Sequence, residues 1–202
     1  MRQRDGMKKT IRPRTKPSDI RRQELMDAAA GLFIEQGVEA TTIDAITARA
    51  EVAKGTFYHY FSTKNGILEA LRAAFSQGFL DRVGAAVDTV PAGDHAARLR
   101  QWLVAGVTIY MAEYELHDVV FHQHGRRMQY RTEKNAIVGQ LAGLLAAGAR
   151  DGAWNARNPE FVAVVVYQGF HGAVDDAIER GLQDPAPIAA ALFDLFSLML
   201  RT

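Results

Sequence analysis

Apolar residues recur at i, i+3, i+4 and i+7 along most of the chain, in stretches rich in Ala, Leu, Glu, Gln and Arg that favour helix. No segment sustains the period-2 alternation of a half-buried strand. The one candidate, Val162 to Val166, lies inside a longer helical pattern that begins after Pro159. All six prolines (Pro13, Pro17, Pro91, Pro159, Pro185 and Pro187) fall in or beside segments that read as non-helical. That placement suits a residue that removes a helix hydrogen bond and clashes with the preceding turn. The expected fold class is all-α, with about nine helices.

The individual elements follow from caps and periodicity. Ser18 is a good N-cap for a first helix that turns Leu25, Ala29, Leu32 and Phe33 to one face, and Gly37 is a plausible left-handed cap at its end. Thr42 caps a short second helix with Ile43 and Ile46 inward. A four-residue turn, Ala50 to Ala53, leads to a third short helix, Lys54 to Tyr60. Ser62 or Thr63 caps a fourth, which runs through Ile67, Leu68, Leu71 and Phe75 to about residue 89. Beyond Pro91, helical patterns cover roughly 94–115, 129–150, 159–181 and 186–200, with a shorter piece around 116–124. No internal repeat or low-complexity linker appears, so the fourth helix is the expected joint between two parts.

Charge divides the chain in the same way. Residues 1–65 carry 12 Lys/Arg against 8 Asp/Glu, a net of +4, whereas residues 66–202 carry 12 against 15, a net of −3. Only the N-terminal part suits a polyanion. Seven basic residues lie within the first 17, an arm that is either solvated and disordered or laid along a DNA backbone. The absence of cysteine excludes disulfides, thiolate metal sites and cysteine nucleophiles. No apolar run approaches the ~20 residues of a membrane helix, and no apolar segment follows the basic N-terminus as in a secretory signal. A cytoplasmic protein with no membrane partner is expected.

Residues 41–64 read TTIDAITARAEVAKGTFYHYFSTK. Two short helices joined by a tight turn in a basic region fit a helix-turn-helix over 42–61, whose second helix enters the major groove. Phe57 and Phe61, an i,i+4 pair, belong against Ile46, Val52 and the first helix. Tyr58, His59 and Tyr60 then point elsewhere, and DNA would cover them through phosphate hydrogen bonds and thymine methyl contacts. Gly55 lets the helix start approach a backbone closely, Thr42 offers a hydroxyl and a helix N-terminus to phosphate, and Lys64 offers a point charge.

This stretch resembles the DNA-binding domain of the TetR family of bacterial transcriptional regulators. The likeness covers residues 19–79 and is densest in KGTFYHYFSTK. It implies a basic arm over 1–18, a helix-turn-helix domain over 19–79, and a ligand-binding and dimerisation domain over 80–202. By the same resemblance Thr42, Lys54, Gly55, Thr56, Tyr58, His59, Tyr60 and Lys64 contact DNA, and the protein is a homodimeric repressor on a palindromic operator, released by a small organic effector. The sequence departs from the pattern at Glu51, where glycine is common, and at Ala53, where Ser or Thr is common. Each change costs roughly 1 kcal/mol, the first in backbone strain and the second in a lost cap.

The C-terminal half gives weaker signals. The last two helical patterns are apolar on more than one face, and small residues at 169, 172 and 173 permit close helix approach. Val165, Gly169, Gly172, Leu192, Leu195, Phe196 and Met199 are the candidate dimer contacts, an ordinary intrachain core being the other reading. The resemblance implies that the final two helices pair into a four-helix bundle. Aromatic and polar residues on apolar faces, namely Trp102, Tyr110, Tyr114, Phe121, Tyr130, Tyr167, Phe170 and His171, are candidates for an effector pocket, with plain core as the alternative. Nearby Arg126 and Arg127 lean towards a flat, anionic ligand. His117, His122 and His124 invite a metal, but His122 lies about 140° round the helix from the pattern, and no metal or cofactor is expected. A helical hydrolase using Asp175, Asp176 and His171 lacks a nucleophile with a positioned base, so an enzyme is not expected. A helical adaptor that does not bind DNA is the remaining alternative.

Overall fold

The structure, a computed structural model, describes residues 18–121 and 131–201, the side chains of 131–134 excepted. These residues form nine α-helices and no strand: α1 (Ser18–Ala40), α2 (Ile43–Arg49), α3 (Lys54–Tyr60), α4 (Lys64–Asp88), α5 (His95–Ala112), α6 (Tyr114–Phe121), α7 (Arg131–Arg150), α8 (Pro159–Glu179) and α9 (Pro185–Leu200). The basic arm and the 122–130 segment, with His122, His124, Arg126, Arg127 and Tyr130, lie outside the described residues.

Side-chain caps open five helices. Thr42, Thr63, Asp94, Asn158 and Asp184 accept backbone N–H groups that no helical carbonyl can reach, and Pro159 and Pro185 stand in the first turn, where a missing N–H costs nothing. Two expectations about helix ends need correction. Gly37 does not close α1 with a left-handed cap. At φ 80°, ψ 160° it is a positive-φ break of a kind open mainly to glycine, after which the chain turns on to Ala40. The break between the helix read over 94–115 and the shorter piece read around 116–124 falls earlier than expected, at Glu113, which leaves the helical region (φ −118°, ψ 19°) and whose carboxylate takes both Nη atoms of Arg82 on α4 at 2.5 and 2.8 Å.

Two apolar cores result. The first gathers Leu25, Phe33, Ile46, Phe57, Phe61, Ile67, Leu68 and Leu71 from α1 to α4, and it also takes Val119 and Val120 from α6. The second gathers Phe79, Val83 and Val87 from α4 with Trp102, Leu141, Leu145, Phe170, Leu192 and Phe196 from α5 to α9. Helix α4 therefore runs through both, passing from one to the other between Leu71 and Phe79. Within the second core, the Trp102 indole N–H donates to Gln140 (3.1 Å), whose amide donates to the Leu80 carbonyl (3.0 Å), so α4, α5 and α7 are tied by one relay.

The closest approach in that core is at Gly148. A Cβ there would fall 2.2 Å from Cζ2 of Trp154, whose N–H donates to the Leu145 carbonyl at 2.8 Å. A rigid, bonded ring cannot yield that space. Gly148→Ala is expected to destabilise the fold by about 2 kcal/mol, after allowing about 1 kcal/mol for alanine's better helix propensity. Thermal unfolding with tryptophan emission reads both the loss and the displaced ring.

Candidate functional site

The N-terminal helices present a short, firmly anchored α3. Phe57 and Phe61 are buried with ring centroids 5.8 Å apart, and they fix the helix against the first core. The remaining rings diverge: Tyr58 is 52% exposed, His59 is exposed, and Tyr60 is partly packed against the core. Thr42 is exposed at the start of α2, with its hydroxyl accepting from the Ala45 N–H at 3.1 Å. Thr56 is half-buried. Gly55 is exposed, and a Cβ added there would meet nothing within 4 Å, so packing within the chain does not require glycine. Lys54 is exposed and paired with Asp44 of α2 at 2.7 Å, a hydrogen bond that raises its pKa above the usual lysine value.

The turn before α3 carries both irregularities read from the sequence. Glu51 has φ 53°, a left-handed placement that disfavours a side chain, and Ala53 makes no side-chain cap. On the other side of α2, Arg49 meets Glu35 in a two-point pair, both bonds 2.8 Å, and this holds α2 against α1. That bond lowers the Glu35 pKa.

Lys64 does not project as a free point charge. Its ammonium donates to the carbonyls of Val38 (2.5 Å), Glu39 (3.0 Å) and Thr41 (2.9 Å). Buried Thr41 adds a hydroxyl bond to the Gly37 carbonyl at 2.8 Å. The Val38 and Glu39 carbonyls lie in the last turn of α1 and that of Thr41 just beyond it, and the negative end of a helix favours a cation there. Lys64 is thus a clamp between α1 and α4, and all three of its donors are used.

In the C-terminal half the expected pocket residues come together. Trp102, Phe170, Tyr110 and His171 form a chain of ring contacts with centroids 5.7, 5.8 and 4.9 Å apart, and Tyr167 meets His171 at 4.4 Å. Tyr114 stands 6.2 Å from Tyr110. His117 of α6 enters this cluster against Tyr110 (4.4 Å) and Phe121 (4.9 Å), and Phe75 of α4 closes it on the other side (5.4 Å from His117). Trp102, Tyr110 and Phe170 are enclosed core residues, whereas Tyr114, Phe121, Tyr167 and His171 keep partial exposure. The Tyr110 hydroxyl donates to Asp175 at 2.7 Å, and burial together with that bond raises its pKa. Burial alone pushes Tyr167 up to about 12. Among the described residues no three His, Asp or Glu side chains gather to hold a metal.

The α8 and α9 faces sort the dimer candidates. Val165, Leu195 and Met199 are exposed, and Gly172 faces open space. Leu192 and Phe196 are instead buried within the chain's own core, and the Phe196 ring lies 3.1 Å from where a Gly169 Cβ would stand. Gly169 therefore makes room for a neighbour in the same chain. Both helices bring a large apolar side chain to the exposed side and another to the interior, which a pattern apolar all round could not separate. The sequence reading missed Phe161 (65% exposed) and Leu198 (58%), which join Leu195 (60%) on the outer face; the i,i+3 step from Leu195 to Leu198 was the available signal. It also missed Arg72, a buried cation whose Nε donates to the Val120 carbonyl and links α4 to α6.

The chain matches known proteins along these elements. The family model described as "Bacterial regulatory proteins, tetR family" covers residues 25–71. The transcriptional repressor KstR2 of Rhodococcus jostii (strain RHA1) is 32% identical over 142 residues, 66% of this chain and 68% of that protein. Of further relatives the chain spans about half the length. A crystal structure of a putative tetR family regulator from Shewanella sp. PV-4 aligns over 90% of this chain and 98% of that one, with 25% identity and a TM-score of 0.71. The regulator FadR from Bacillus subtilis, solved in complex with stearoyl-CoA, shares the fold at 19% identity (TM-score 0.72), over 86% of this chain and 96% of that one.

Because the Lys64 donors are committed within the chain, its removal should act on stability. Lys64→Ala is expected to cost about 2 kcal/mol, from hydrogen bonds to a charged donor that are partly solvated. Chemical denaturation measures this. A DNA-binding salt slope lower by about 1 in the variant, with stability unchanged, would return Lys64 to the phosphate contacts.

Proposed function

This chain belongs to the TetR family of bacterial regulatory proteins, and on that premise we propose that it represses transcription by binding a palindromic operator as a homodimer and leaves it when a small organic effector binds. As a member of that family it is a transcriptional regulator and not an enzyme. The observation that carries the DNA reading is the division of α3: Phe57 and Phe61 anchor it, while Tyr58 and His59 stand free on its outer side. Large rings left in water beside a firmly held backbone suit contact with base edges and phosphates. In this reading α3 enters the major groove with Gly55, Thr56, Tyr58 and His59, Tyr60 flanks them, and Thr42 brings the start of α2 to a phosphate. Lys54 reaches the backbone by exchanging Asp44 for phosphate. Repression is the role of the similar KstR2, a transcriptional repressor.

The dimer reading rests on Phe161, Val165, Leu195, Leu198 and Met199, an exposed apolar face on two adjacent helices. The effector reading rests on the aromatic cluster and on where it leads. His117 and Phe121 join that cluster from α6, while Val119 and Val120 of the same helix lie in the N-terminal core. An effector that moves α6 thus acts on α4 and changes the spacing of the two α3 helices, which the duplex repeat of 34–36 Å does not tolerate. That FadR holds stearoyl-CoA in a similar fold is compatible with an apolar effector.

Duplex binding tests the DNA reading through Gly55. Among the described residues nothing crowds that position, so Gly55→Ala should leave stability equal or up to about 1 kcal/mol higher. Operator affinity should nevertheless fall, because the added methyl lies between α3 and the DNA backbone. Unchanged affinity in fluorescence anisotropy would remove the start of α3 from the interface.

The dimer is tested at Leu195. A glutamate there would be buried and unpaired between chains at a cost of several kcal/mol, so Leu195→Glu should give monomers or aggregates in light scattering. A well-folded dimer in that variant would move the interface elsewhere.

A further inference from the structure

The positive charge of the DNA-binding half does not reside on its helices. Residues 18–79 carry six Lys/Arg against eight Asp/Glu, a net of −2, whereas the seventeen residues before α1 carry seven against one, a net of +6. Each of the six cations on the helices also has a partner within the chain. Arg21 pairs with Glu24 at 3.1 Å, Arg49 with Glu35 at 2.8 Å and Lys54 with Asp44 at 2.7 Å. Lys64 is bonded to three carbonyls and buried Arg72 to the Val120 carbonyl. The Arg22 guanidinium lies over the Phe61 ring, 5.3 Å from its centroid.

That balance leaves the helices without the charge that holds a protein on a duplex. Sequence-independent affinity comes from cations that displace counterions, and each phosphate neutralised adds about 0.9 to the salt slope. Lys54 gains a phosphate only by leaving Asp44 uncompensated beside it, so the exchange adds no net positive charge. Glu51, exposed in the turn before α3, adds repulsion. The helices offer shape and hydrogen-bonding groups, and the counter-charge has to come from another part of the chain.

The start of α1 stands where such a part would be useful. Arg21, Glu24 and Asp27 in the N-terminal half of α1 line one groove with Arg49, Ala50 and Glu51, at the turn before α3. Arg22, about one helical turn after Ser18, covers Phe61, which directly follows α3. The chain thus enters α1 beside both ends of the helix that meets the major groove. Seventeen residues reach at most roughly 60 Å, more than the repeat of about 34–36 Å between successive major grooves.

We propose that residues 1–17 are the phosphate-binding element of this protein, laid along the sugar–phosphate backbone beside the groove that α3 enters, and that they supply most of its electrostatic affinity for duplex DNA of any sequence. The inference rests on the DNA-binding reading above and divides its labour: α3 reads the duplex and the basic arm holds it.

The test is fluorescence anisotropy of the full chain on a mixed-sequence duplex several helical turns long, between about 50 and 200 mM salt. Lys9→Gln, Arg12→Gln and Arg14→Gln together remove six cations from the dimer. The salt slope should fall by about 3 or more, and binding at the lower salt should weaken at least about tenfold. Arg150→Gln, Arg157→Gln and Arg201→Gln together, three exposed cations of the other half, change the net charge equally and should move the slope by less than about 1. Both variants should melt like the parent, because the arm precedes α1 and the three C-terminal arginines are exposed. A slope that falls no further in the arm variant than in its control, or weaker binding with the slope unchanged, would overturn the inference and leave the DNA reading in place. A parent chain that binds no duplex would overturn that reading and this inference together.

Discussion

Helix α6 is eight residues long and belongs to both cores, and the contact that fixes it is the buried guanidinium of Arg72. Its Nε donates to the carbonyl of Val120 in α6. A buried charge is tolerated only when it is bonded, and leaving either partner unmade costs several kcal/mol. On the side of α6 that Arg72 secures, Val119 and Val120 complete the core around Phe57 and Leu68. On the other side His117 and Phe121 complete the aromatic cluster around Tyr110. The helix takes its position from these two surfaces. Neither core can rearrange without moving the other's neighbour.

The same dependence holds at the DNA-binding end. Helices α2 and α3 have seven residues each, too few to persist alone. Buried Phe57 and Phe61, the Arg49–Glu35 pair and the Thr42 cap hold them to α1. Lys64 and Thr41 hold the end of α1 in turn. Against this stand Glu51 in a left-handed conformation and the uncapped Ala53, two local costs in a turn whose backbone is nevertheless bonded, Val52 N–H to the Thr47 carbonyl at 3.0 Å and Thr56 N–H to the Ala53 carbonyl at 2.8 Å. Precision in α3 is thus imposed from its inner face, and its outer face is left free of structural duty.

Much of this was legible in the sequence. Periodicity and caps placed the helices because each rests on local rules: Thr42 and Thr63 cap where side-chain chemistry says they should. The strain at Glu51 was legible for the same reason. Residues whose roles depend on distant partners were not. Lys64 looked like a free charge because nothing within a few positions announces that the end of α1 offers it carbonyls, 23 to 26 residues away. Leu192 and Phe196 could not be told from Leu195 and Met199, since a helix apolar all round conceals which side faces its own chain. Arg72 reads as one more surface arginine until α6, 48 residues on, brings it an acceptor.

The central claim is that α6, secured through Arg72, joins the two cores mechanically. Hydrogen exchange on the full chain with Arg72→Met tests it most directly, because methionine keeps much of the buried stem and deletes the donor. Faster exchange is expected in α6 and, together with it, in α2 and α3 on one side and in the Tyr110 and His171 segments on the other. Acceleration confined to α4 and α6, with both cores as protected as before, would contradict the account.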